Sequence, residues 1–151
     1  MSDELTELLD TAIYREIASQ AFYIAGQRAT EDQGAKTLMK ELAAEELKHS
    51  QLLKYIKEKG LNERSWQRNE VSNLGISEYL TGGETLDGAS LQDTLIFAMK
   101  REQQSIEFYS RLMSLIQDET AKRTCERLVH EELRHKLRLE IFYDDLFYSE
   151  D

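Results

Sequence analysis

Proline is absent from this chain, so no missing amide donor interrupts a helix from within. Cysteine occurs once, at Cys125, which excludes an internal disulfide and any Cys-x-x-Cys motif and suits a reducing compartment. Positive charge is scarce. Lys and Arg number 19 against 29 Asp and Glu, a net charge of −10, and no basic stripe is available to neutralise phosphates, so nucleic acid is not an expected partner. No apolar run approaches the roughly 20 residues that span a bilayer. The opening "MSDELTELLDTAIYRE" lacks the basic and apolar regions of a signal peptide. A cytoplasmic protein with no membrane partner is expected. What the chain does have is 40% hydrophobic and 32% charged residues over 151 positions, the balance of one domain, 1–151, rich in amphipathic helix.

Four helical stripes follow. The first helix opens at "SDEL" with Ser2 as cap and runs to about Arg28, its stripe reading Leu5, Leu9, Ala12, Glu16, Ser19, Tyr23. After "ATEDQG" the second carries Leu38, Leu42, Glu46, His49, Leu53 and Ile56, and Gly60 ends it. Ser90 opens the third, with Leu91, Leu95, Ala98, Glu102, Ser105, Tyr109, Leu112 and Ile116. After "QDETA" the fourth shows Cys125, Leu128, Glu132, His135, Leu139, Phe142 and Leu146. Residues 60–89, rich in Gly, Asn and Ser with one short helical candidate at "SEYL", read as a crossover between helix pairs 3–59 and 90–147, because two helices alone bury too little to be a domain. Trp66 is expected to cover bundle surface from that crossover.

The two pairs repeat one another at a constant offset of 86 positions. Arg15-Glu16 meets Arg101-Glu102, Phe22-Tyr23 meets Phe108-Tyr109, Asp32 meets Asp118, Ala35-Lys36 meets Ala121-Lys122, and Leu42 meets Leu128. "EEL" plus histidine at 45–49 meets the same string at 131–135. This register needs no gap and describes a duplicated helix hairpin, hence an all-α bundle with a pseudo-two-fold axis.

Histidine is nearly as rare as cysteine, with three residues, yet two of them end a Glu-x-x-His. The string "HEELRHK" is one residue too long to be the zinc-protease motif: His130 and His135 lie about 140° apart on a helix, so His130 reads as a surface residue. Glu46 with His49, and Glu132 with His135, do share a face. Together with Glu16 and Glu102 they occupy stripe positions where a plain bundle has Leu or Ala. An ionised carboxylate buried unpaired costs several kcal/mol, so four in one core call for cations. Two divalent ions balance four glutamates, and two neutral imidazoles complete the donor set. Carboxylate with imidazole suits iron or manganese better than calcium or structural zinc. One Glu from each of two helices plus Glu-x-x-His from the other two is a known arrangement for such ions. Tyr23 and Tyr109 read either as packing aromatics or as hydroxyl donors to a ligand carboxylate on a neighbouring helix. Glu45 and Glu131, about 100° from the ligand face, read as solvated or as outer groups. Cys125 reads as a small core residue matching Met39.

These motifs resemble the ferritin-like diiron-carboxylate superfamily and, within it, rubrerythrin-like single-domain proteins. The resemblance is carried by Glu16 with Tyr23, Glu46-x-x-His49, Glu102 with Tyr109, and Glu132-x-x-His135. It implies a ferritin-like four-helix bundle and a non-haem diiron centre (iron, with manganese as the other candidate), bridged by Glu46 and Glu132 with Glu16 and Glu102 terminal. Glu46, Glu132, Tyr23 and Tyr109 become the catalytic candidates. The implied chemistry is reduction of peroxide, or reaction with dioxygen, in a homodimer. There are departures. No rubredoxin module is present, so electrons would come from a separate donor such as rubredoxin. Ser105 stands where two-domain rubrerythrins carry another ligand glutamate, and Glu107 points off the stripe. Leu47 and Leu133 leave no methionine for haem. No fifth helix of the cage-forming ferritins is expected. A peroxidase is the leading expectation; a ferroxidase, a diiron oxygenase or a metal-free binding module are the alternatives.

Overall fold

The computed structural model describes residues 3–59, 86, 88–117 and 119–148. Four long helices account for nearly all of them: α1 (Asp3–Ala29), α2 (Gln33–Lys59), α3 (Leu91–Leu115) and α4 (Glu119–Phe147). Ser2, Gly60, Trp66, Asp118, the "SEYL" segment and most of the crossover lie outside the described residues.

The helix starts have local causes. Asp32 caps α2, its Oδ1 accepting from the Ala35 amide at 2.8 Å. Ser90 caps α3 from extended backbone, its Oγ accepting from the Asp93 amide at 3.1 Å. The fourth helix starts at Glu119, within the "QDETA" that the sequence reading placed before it. No Gly or Pro stands in that stretch to delay it.

Three residues connect α1 to α2, and the pair is antiparallel: Lys57 pairs with Asp10 near one end, while Gly26 lies against Met39 near the other. Across the hairpins α1 also runs antiparallel to α3, with Arg15 reaching Ser105 and Arg101 reaching Ser19. So do α2 and α4, with His49 against Glu131 and Glu45 against His135.

The apolar core is split. One cluster gathers Leu8, Leu9, Ala12, Ile13, Leu53, Phe108, Tyr109, Cys125 and Leu128; the other gathers Phe22, Tyr23, Ala35, Met39, Leu42, Leu95, Ala98 and Leu139. The 86-residue offset exchanges them, sending Leu9 to Leu95, Tyr23 to Tyr109, Met39 to Cys125 and Leu53 to Leu139. The duplication is therefore three-dimensional, and each cluster closes one end of the bundle. Between the clusters lies a polar layer.

Candidate metal centre

That layer holds Glu16, Glu46, His49, Glu102, Glu132 and His135, all buried. Helical spacing puts Glu46 and His49 on one face of α2, and Glu132 and His135 on the equivalent face of α4. Glu16 and Glu102 arrive from α1 and α3. The six sequence-predicted ligands thus converge on one place.

They form two overlapping groups. Glu16, Glu46, His49 and Glu132 offer one ligand atom each within 4.8 Å of one another, and so do Glu46, Glu102, Glu132 and His135. Glu46 and Glu132 belong to both. In each group three residues come from one hairpin and the fourth from the other.

The donor atoms face each other without bonding. His49 Nδ1 lies 2.9 Å from Glu132 Oε1, and His135 Nδ1 lies 2.9 Å from Glu46 Oε1. None of these four atoms has a hydrogen-bond partner, and neither do the second oxygens of Glu46 and Glu132, Glu16 Oε2 or Glu102 Oε2. Buried polar atoms nearly always find a partner, so eight orphans in one layer need a common one. Carboxylate oxygens and imidazole nitrogens aimed at shared points are a donor set for divalent cations, and the residues present fit two such ions.

The remaining atoms of the ligands are fixed from outside. Tyr23 Oη donates to Glu102 Oε1 at 2.5 Å, and Tyr109 Oη donates to Glu16 Oε1 at 2.7 Å. Of the two readings left open for these tyrosines, the structure has the second: each bonds a glutamate of the other hairpin. Each tyrosine also packs edge-on against the phenylalanine before it. His49 Nε2 meets Glu131 Oε2 at 2.9 Å, and His135 Nε2 meets Glu45 Oε2 at 2.6 Å. Glu45 and Glu131 are therefore outer groups, half-buried, that turn each Nδ1 inward and fix the tautomer. The two imidazoles lie nearly parallel, with centroids 5.9 Å apart.

In the metal-free protein, protons take the place of cations. Burial, then the charges of neighbouring glutamates, push Glu46 and Glu132 well above the ordinary carboxylate range. Burial acts the same way on Glu16, but close contacts with Glu46 and His49 outweigh it and hold this acid at about 2. Burial lowers His135, yet its contacts with Glu102, Glu132 and Glu45 prevail and raise it to about 9; His49 is raised by Glu16 and Glu131 in the same way.

His130 is exposed, as expected, and Glu107 is an exposed acceptor for Gln103. Cys125 is fully buried, and burial pushes its thiol up to about 12, which leaves a packing role. Two residues had escaped the sequence reading. Arg15 and Arg101 are buried beside the centre, and the signal for them was present: each precedes a stripe glutamate at the repeat's own spacing.

Comparison with known proteins agrees with this architecture. The rubrerythrin family's sequence profile matches residues 7–143. No curated protein matches the chain. Among solved structures, a "hypothetical protein" from Pyrococcus furiosus is 27% identical, with a TM-score of 0.69 over 94% of this chain and 89% of that one. A chain from Thermotoga maritima described as a "putative ferritin-like diiron-carboxylate protein" is 19% identical, with a TM-score of 0.69 over 93% of this chain and 95% of that one, and shows the fold. A duplicated four-helix bundle of ferritin-like form, a profile match over nearly its whole length and a buried Glu/His cluster compatible with metal binding place this chain in the rubrerythrin family.

Proposed function

We propose that the chain is a non-haem diiron-carboxylate oxidoreductase that reduces hydrogen peroxide with electrons from a separate donor such as rubredoxin. The observation that carries the reading is the pair of four-residue groups sharing Glu46 and Glu132, with eight unpartnered donor atoms turned toward them. Two bound iron ions supply the two electrons that conversion of peroxide to water requires. The chain's own residues do the rest. Glu45 and Glu131 hold the imidazoles so that Nδ1 faces inward. Tyr23 and Tyr109 keep one oxygen of Glu102 and of Glu16 occupied, leaving the other for a cation. The apolar clusters at both ends keep bulk water out and sharpen the electrostatics between them. Glu131, which holds His49 Nε2 at 2.9 Å, also borders a surface depression of about 700 Å³.

Stopped-flow mixing of the reduced, iron-loaded protein with peroxide tests the reading. Oxidation faster than with dioxygen is expected, and equal or slower oxidation sinks it. The four-glutamate, two-histidine set also favours a competing reading, ferroxidase action followed by storage. Storage requires a closed cage, so sedimentation as a small oligomer removes it.

A further inference from the structure

Three large aliphatic side chains stand on the outer face of α4. Leu133, Leu137 and Ile141 are 43%, 50% and 58% exposed, and their four-residue spacing aligns them in one ladder. Single exposed leucines are ordinary, whereas a contiguous apolar strip marks a contact. The bundle itself does not call for this one. The 86-residue offset puts Leu47, Gln51 and Tyr55 at the equivalent positions of α2, where the middle rung is polar. Charge is also divided along the same face. Arg123, Arg127 and Arg134 lie exposed before Leu137, and Asp144 and Asp145 lie exposed after it. Of the other charges, Glu131 is shared between His49 and Arg127, Arg138 reaches Glu41, and Lys136 pairs with Glu140. Glu126 and His130 lie among the arginines.

We propose that two copies of the chain meet on this face, α4 against α4 in antiparallel sense, with Leu137 on the two-fold axis. That arrangement sets Leu133 of each copy against Ile141 of the other and closes the ladder to water. It also lays the arginine half of one helix over the aspartate half of the other, and a two-fold contact makes this match twice. Parallel pairing would bring arginines against arginines instead. A strip that is apolar at its middle and oppositely charged at its ends complements a reversed copy of itself, so a second copy is the occupant its chemistry fits. The inference is independent of what the centre inside the bundle binds or does.

Sedimentation velocity of the full chain over a concentration series tests the pairing, with circular dichroism as the check on folding. The wild type is expected to form a dimer. Leu137→Glu sets two carboxylates on the axis and should weaken association about 100-fold while leaving helix content unchanged. Arg127→Asp should weaken it about tenfold. The double variant Arg127→Asp/Asp145→Arg exchanges the two charges and should recover wild-type association. Should Leu137→Glu fail to fold, the exposed Arg127 and Asp145 variants decide. A dimer that Leu137→Glu does not weaken overturns the proposal, and so does a double variant no better than the single one. A monomeric wild type overturns it as well. In that case a lower melting temperature in Leu137→Glu assigns the ladder to residues 60–85 of the same chain, and an unchanged one assigns it to an unlike partner.

Discussion

At Glu46 and Glu132 one side chain serves both groups of donors, whereas Glu16 and Glu102 serve one each. The difference is measurable. Glu46→Ala or Glu132→Ala should abolish the paired site, while Glu16→Ala should leave a single ion per chain. Metal analysis of purified protein checks this, and unchanged content in Glu46→Ala would falsify the shared role. Glu45→Ala leaves every ligand in place but frees the His135 ring from its 2.6 Å contact. Loss of such an outer partner costs about 10–100-fold in metal affinity, to be read by competition with a chelator. The six donors were legible in the sequence because each interrupts an apolar stripe in duplicate. Their partners were less so. Whether Tyr23 bonds Glu102 or merely packs, and whether Glu45 meets His135 or water, depends on how α2 faces α4, and a single helix's periodicity carries no information about its neighbour's position. The buried arginines were hidden by the same ignorance, since a charged residue next to a ligand usually reads as surface.

Among the elements, α1 and α2 owe their close approach to Gly26. A Cβ added there would sit 2.5 Å from Met39 Sδ and 3.4 Å from Thr94 Cγ2. Met39 is fully buried and can yield only by disturbing its cluster. Gly26→Val should therefore cost about 1–3 kcal/mol, a typical overpacking penalty, measurable as a lower denaturant midpoint with unchanged slope. Helix number and order were readable from the stripes, and the α3 start from Ser90, because caps and periodicity are local. The α4 start was read late. A hydrophilic stretch such as "QDETA" looks like a loop when nothing in it marks the first hydrogen-bonded turn.

For the molecule as a whole, the polar layer makes stability depend on pH with a calculable sign. Glu46 and Glu132 stay protonated in the folded chain well above their ordinary 4.5 but ionise at 4.5 once unfolded, so the metal-free protein loses stability as pH rises above that value. His135, raised from 6.5 to about 9, contributes stability that is complete below 6.5 and vanishes as pH passes 9. Glu16, lowered from 4.5 to about 2, works oppositely, contributing above 4.5 and failing toward 2. The melting temperature of chelator-treated protein should thus fall steadily between about pH 5 and 9. In the loaded protein cations replace these protons, so the gap between loaded and stripped samples should widen over the same range. A flat profile for the stripped chain would mean that the cluster does not hold its protons. Each donor group draws three residues from one hairpin and one from the other. Ion uptake would then be coupled to the joining of the two halves: bound ions would act as rivets through a seam, since neither half supplies a whole donor group alone.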